Sequence, residues 1–256
     1  MSKQIKKKNQ DFFQIHGING CVNVIKAKKI KILRVDIMVG GIAEKKKWVS
    51  NLLCTQSLPI HKIPKPQFLK QYAEKRTQGI VISFTGKILR DISSFQKSSK
   101  NICLLAMDNL EDPQNLGQII RTAECAGIDG VLIPEHNNVQ ATNTVLQVSQ
   151  GAFIHIPLFN CGNLHQHLRI LKSQGFWIIG VENDIQAKNW YEFDFQRKVV
   201  IVIGSEGKGI RPVILKTCDD LLTIPMQGEL NSLNVSSAVS AVLFERHRQM
   251  LQANTN

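Results

Sequence analysis

Three polar stretches carry the side chains best suited to handling a ligand, and each directly follows an apolar run. The first is Asp108-Asn109-Leu110-Glu111-Asp112-Pro113-Gln114-Asn115-Leu116-Gly117, with Arg121 further along the helix. Its amides can position a polar ligand and the guanidinium can hold an anion. Equally, Asn115 can be a helix cap and Arg121 a surface cation. The second is Gly204-Ser205-Glu206-Gly207-Lys208-Gly209. Glycines this dense after an apolar strand let the backbone close on a ligand. The spacing fits neither the dinucleotide fingerprint nor the P-loop. The third runs from Ile224-Pro225-Met226 through Gly228 to Ser232-Leu233-Asn234-Val235-Ser236-Ser237. Alone it reads as a strand, a loop and a capped helix. On the C-terminal edge of a sheet the same loop would hold a ligand.

Other chemistries find little support. The histidines do not group: His165 and His167 are two apart in a helix and do not share a face. His155 alternates with Ile154 and Ile156 as a structural strand residue would. There is no H-E-x-x-H and no G-x-S-x-G elbow. The six cysteines, at 21, 54, 103, 125, 161 and 218, lack the paired spacing of a zinc site or a disulfide framework. We therefore expect no metal and a reduced, cytoplasmic protein. Trp48, Trp177 and Trp190 are read as packing residues. No apolar run approaches the roughly 20 residues that cross a bilayer. No secretory core follows the basic start, so export is not expected.

The three stretches need elements to position them. From Asn101 onward, strands and helices alternate. Strands are expected at 102–107, 130–134, 153–158, 177–181, 199–204 and 221–225, with helices at 115–126, 142–149, 163–173 and 238–251. Continuous apolar strands between helices indicate a mostly parallel α/β sheet covered on both faces. Upstream, residues 11–90 read as a smaller α/β unit. It has strands at 31–39, 60–63 and 77–84, a first helix interrupted by Gly20, and further helices at 45–54 and 66–72. Residues 1–10 are expected to be a disordered basic tail. The Ser-rich segment 91–100 is expected to link the small unit to a domain spanning 101–256. Charge follows the same division. Residues 1–100 hold 21 Lys+Arg against 5 Asp+Glu, and the remainder 11 against 15. A basic first third beside a mildly acidic remainder points to a nucleic-acid partner for the first.

Together the stretches resemble the three motifs of the SpoU (TrmH-type) RNA 2′-O-ribose methyltransferases, in family order and spacing. The resemblance covers about residues 101–250. The basic N-terminal unit, with His16-Gly17 and Gln78-Gly79, is similar to the L30-like substrate-binding domain of members that modify a guanosine in large-subunit ribosomal RNA. The resemblance implies a catalytic domain threaded into a trefoil knot, S-adenosylmethionine as methyl donor, and a homodimer with Val239, Val242 and Leu243 at its interface. It implies a cofactor site of Ile203, Gly204, Gly207, Ile224, Met226, Gly228 and Leu233. Arg121 would bind phosphate and stabilise the alkoxide, Asn115 would position the ribose, and Glu206 would orient Arg121 or its loop. Ser232 and Asn234 would either contact the target nucleotide or cap the last helix. A transfer-RNA methyltransferase and a non-catalytic RNA-binding protein of the same fold are the alternatives.

Overall fold

The computed structural model describes residues 12–27, 30–73, 75–183, 187–205 and 207–253. The expected basic tail at 1–10 and the candidate Glu206 lie outside them. The chain divides into two compact units, residues 1–87 and 88–256.

The first unit contains β1 (Phe12–His16), α1 (Ile18–Lys26), β2 (Lys31–Met38), α2 (Ile42–Lys45), α3 (Lys47–Cys54), β3 (Ile60–Ile63), α4 (Lys65–Gln71) and β4 (Ile80–Thr85). Its four strands are ordered β1-β4-β2-β3, with β4 antiparallel to both neighbours and β3 parallel to β2. Ile15, Val35, Ile80, Ile82 and Phe84 are fully buried. Gly20 does not interrupt α1, contrary to expectation. The helix buries Gly20 along with Ile18, Cys21, Val24 and Ile25, and that packing outweighs glycine's cost of roughly 1 kcal/mol in a helix. The helix has no cap from its own chain start. Gln78 supplies one, its side-chain oxygen accepting from Ile18 N at 2.8 Å. Trp48 is not a packing residue: it is half-exposed, beside the exposed Lys45, Lys46 and Lys47.

The second unit begins earlier than expected. β5 (Leu89–Asp91) joins its sheet, and Ile92 enters its core with Phe95 packed against the same cluster. The segment expected as a linker thus carries apolar anchors among its serines. There follow β6 (Cys103–Met107), α5 (Pro113–Cys125), β7 (Gly130–Pro134), α6 (Asn143–Val148), β8 (Leu158–Cys161), α7 (Leu164–Ser173), β9 (Trp177–Val181), β10 (Lys188–Asn189), β11 (Val199–Ile203), α8 (Pro212–Leu215), β12 (Asp220–Thr223) and α9 (Val235–Ala253). The strand expected at 153–158 is instead a 3₁₀ turn at Ala152–Ile154, with the strand starting at Leu158. Gly151, at φ 91°, turns the chain there, and His155 is exposed rather than strand-paired.

The eight strands are ordered β10-β12-β9-β11-β6-β7-β8-β5, and every pairing is parallel. Leu104, Ala106, Leu132, Ile178, Val200 and Val202 share one core with Leu168 and Leu171 of α7 and Ile214 of α8. The alternate residues Cys103, Leu105, Val131, Ile179, Val199 and Ile201 are also fully buried. A strand period of two with both faces apolar is what a doubly covered parallel sheet requires. Packing between α5 and α6 depends on Gly117. A Cβ there would lie 2.5 Å from Val148 Cβ and 2.9 Å from Val145 O. From β6 the chain runs outward to β7 and β8, then returns to lay β11 on the other side of β6. This reversal leaves a crevice outside the carboxyl ends of β6 and β11, where open α/β sheets place ligands.

Candidate active site

The loops at those carboxyl ends enclose two adjoining cavities. The larger, about 480 Å³, lies beyond β9, β11 and β12. Ile203 at the end of β11 lines it, with Gly204 and Gly207 from the second stretch and Ile224, Met226, Ser232 and Leu233 from the third. These are six of the seven expected cofactor residues, with Ser232 added. The seventh, Gly228, is exposed and does not line the cavity.

The second stretch holds its shape through its own backbone. Ser205 and Gly209 exchange N–H···O bonds of 3.2 and 2.9 Å, folding the loop back on itself. Gly204 sits under that fold: a Cβ there would lie 2.1 Å from Gly209 C and 2.4 Å from Ile210 N. No side chain can yield at such a contact, since both atoms are backbone. Gly209 adopts φ 62°, and Glu182 braces the loop by accepting from Ile210 N at 2.8 Å. Asp108, fully buried, takes Arg211 N and Nε at 2.8 Å each and Nη2 at 2.6 Å. This ties the loop after β6 to the loop after β11. A carboxylate left alone at such a position would be costly, which is why the paired guanidinium matters. Asn183 donates to Asn231 O at 2.6 Å and anchors the third loop over the larger cavity.

The smaller cavity, about 280 Å³, lies at the reversal between β6 and β11. Leu110, Glu111, Asp112 and Asn115 line it from the first stretch, and Ser205, Gly207 and Lys208 from the second. Asn115 is not the cap of α5. That role belongs to Asp112, which accepts from Gln114 N at 2.8 Å, leaving the buried Asn115 amide facing the cavity. Asn234 does cap α9, its Oδ1 accepting from Ser236 N at 2.9 Å, and its Nδ2 donates to Asn115 Oδ1 at 3.0 Å. Two further contacts extend this seam between α5 and α9: Ser236 Oγ to Gln118 Oε1 at 2.8 Å and Thr122 Oγ1 to Ser240 Oγ at 3.3 Å.

The fold therefore unites Asn115, Asn234 and Ser232 with the expected cofactor residues. Arg121 stands apart: it is exposed on α5, on the stripe of Gln118 and Cys125, and lines neither cavity. Val239, Val242 and Leu243, expected at a dimer interface, are fully buried in the chain's own core. They point inward because α9 packs along α5. The cysteines are all unpaired, and burial pushes the Cys103, Cys161 and Cys218 thiols up to about 12, so these are not nucleophiles at neutral pH. Among the described residues no group of His, Cys, Asp and Glu could hold a metal ion. Glu182 and Asn183 were missed in the sequence, although they form a polar pair directly after an apolar strand, the same signal as the other three loops.

Residues 102–244 match the SpoU rRNA methylase family. A Staphylococcus haemolyticus protein named for the TrmH family of tRNA/rRNA methyltransferases is 36% identical over 205 residues, 78% of this chain and 82% of that protein. The structure of the SpoU methyltransferase AviRb from Streptomyces viridochromogenes, solved with AdoMet, has a TM-score of 0.78 at 21% identity. The alignment covers 94% of this chain and 91% of that one. A solved RNA 2′-O ribose methyltransferase has a TM-score of 0.79 at 24% identity, covering 94% and 90%. With the family match spanning more than half the chain and most of its motif residues gathered around two cavities on one sheet edge, this protein belongs to the SpoU family of RNA methyltransferases.

Proposed function

We propose that the chain transfers the methyl group of S-adenosylmethionine to a ribose 2′-hydroxyl of RNA, on a guanosine of large-subunit ribosomal RNA, in the cytoplasm. One observation carries this reading: the cavity built from the second and third stretches opens beside the cavity containing Asn115. A donor in the first and a nucleotide in the second would face each other across the Ser205–Lys208 loop. Apolar Ile203, Ile224 and Leu233 suit the faces of an adenine, while backbone groups suit its polar edge.

The 2′-hydroxyl oxygen attacks the sulfonium methyl carbon. Attack would form an O–C bond and break the C–S bond, with its electron pair going to sulfur and the hydroxyl proton passing to solvent water. A hydroxyl is a poor nucleophile at neutral pH and needs orientation and charge stabilisation. Asn115, its amide set by Asn234, holds the ribose. Arg121 cannot serve as a base, because guanidinium stays protonated. It binds phosphate and stabilises the developing alkoxide. Its place outside both cavities of its own chain favours action across a homodimer. Phe244 and Leu251 supply the apolar face for such an interface: they lie two turns apart on α9 and are 47% and 57% exposed. The basic first unit would hold the RNA by phosphate contacts.

The test is transfer of a tritiated methyl group from S-adenosylmethionine to unmodified transcripts of large-subunit ribosomal RNA and of tRNA. Label on the ribosomal transcript, recovered as a 2′-O-methylated guanosine, is the expected result. Label on tRNA alone would move the substrate to the other branch, and label on neither would leave an RNA-binding protein.

A further inference from the structure

We propose that Trp48 is a stacking platform for an unpaired base, so that the first unit holds an RNA loop or bulge rather than continuous duplex. This rests on the RNA-methylation reading above and names the form of RNA that the first unit recognises.

Two observations carry it. The first is that the fold makes little use of the indole. Helix α3 buries Val49 and Leu53, one turn apart on the same face, at 0% and 6% exposure. Trp48 is next to Val49 in the chain, falls off that face and is 50% exposed. No hydrogen bond or ring contact engages it among the described residues. A side chain of this size ordinarily gives its area to a core or to an interface.

The second observation is the charge beside it. Lys45, Lys46 and Lys47 are consecutive and exposed, and among the described residues none of them pairs with a carboxylate. Glu44, the acid next to them, is committed elsewhere. Its Oε1 takes Lys62 Nζ at 3.0 Å and its Oε2 accepts from Gly40 N at 2.7 Å. The junction that presents Trp48 is itself tied down. Ser50 Oγ donates to Glu44 O and Val49 N to Lys46 O, each at 2.9 Å.

This chemistry selects the partner. Unpaired ammonium groups attract a polyanion, and a flat ring among them takes a base while the cations take its flanking phosphates. In a duplex each base is already stacked on its neighbours, so the indole can reach only an unpaired one. A protein partner fits poorly. Ile42 alone joins Trp48 as a large exposed apolar side chain on α2 and α3, and protein interfaces are depleted in lysine. An indole stacks on any base, so the platform selects single-stranded form and not sequence.

The experiment measures binding of the full chain, at one fixed salt concentration, to a hairpin RNA with an unpaired loop and to a continuous RNA duplex. Trp48→Ala should weaken hairpin binding about tenfold, within the range for one base stacked on an aromatic ring. Trp48→Phe, which keeps a ring, should stay within about threefold of the parent. Duplex binding should move by less than about twofold in both variants. The hairpin should quench the parent's indole emission, and most of that quenching should vanish in Trp48→Ala although Trp177 and Trp190 remain. Unchanged hairpin affinity in Trp48→Ala would leave the patch to another partner and overturn the proposal. Equal weakening towards hairpin and duplex would overturn it as well, since a phosphate surface or a folding defect makes no distinction between them. Either result with methyl transfer to RNA intact would refute this inference alone. Failure of the parent to bind or methylate any RNA would refute the underlying function.

Discussion

The two units spend their residues differently. The first, residues 1–87, carries 18 Lys+Arg against 4 Asp+Glu, and the second 14 against 16. The first displays Ile42, Lys45, Lys46, Lys47 and Trp48 in the open along α2, α3 and the junction between them. The second gathers polar residues around loops fixed by Asp108, Glu182 and Asn183. Phosphate attraction acts over several ångströms and tolerates mobile side chains. Methyl transfer needs reacting atoms held to within a fraction of an ångström. A displayed basic surface suits the first task and a backbone-locked loop the second.

Breaking the locked loop should have the largest effect. Gly204→Ala drives a methyl into Gly209 and Ile210. It should weaken S-adenosylmethionine binding by about 1,000-fold or more, beyond the usual overpacking cost of about 1–3 kcal/mol because the clashing atoms are backbone. Near-parent affinity by calorimetry would show that the larger cavity is not the donor site. Next, Arg121→Ala should lower methyl transfer by about 100-fold to 1,000-fold while donor affinity stays within about threefold. Mixing it with an Asn115→Ala variant should restore part of the activity if sites are completed across a dimer. No recovery in the mixture would confine Arg121 to its own chain. Third, the triple variant Lys45→Ala, Lys46→Ala, Lys47→Ala should cut RNA affinity about tenfold at 50 mM salt and flatten its salt dependence. Donor binding should not change. An unaltered salt slope would remove these lysines from the RNA surface. The smallest effect separates surface from core within the first unit. Trp48→Ala should change stability by less than about 1 kcal/mol, whereas Phe84→Ala should cost about 3–5 kcal/mol, both read by urea denaturation.

Much of the second unit was legible because its buried strands are runs that only a covered parallel sheet tolerates, as in Val199–Ile203. Where the pattern misled, a local cue was outweighed by packing or by a turn. Ile154-His155-Ile156 alternates like a strand, yet Gly151 bends the chain into a 3₁₀ turn. The Ser-rich 91–100 segment looks like a linker, yet Ile92 and Phe95 reach the core. The candidate site was legible as three loops after three strands. Glu182 and Asn183 form a fourth, passed over because two polar residues after a strand are common.

By itself the sequence determined which residue types the loops carry: the glycines of 204–209, Asn115, Arg121, Ser232 and Asn234. Their order along the chain was enough to suggest the chemistry. Only the tertiary structure decided what each one meets. It gave the cap of α5 to Asp112 and turned Asn234 into both a cap and a partner of Asn115. It turned Val239, Val242 and Leu243 inward, left Arg121 outside the cavities, and set Ser205 in the wall between them. The physical reason is range. Propensities and caps act within a turn or two of the chain, whereas the pairing of Asn115 with Asn234 joins residues more than 100 positions apart. Which strands lie side by side determines such contacts, and here β11 lies against β6.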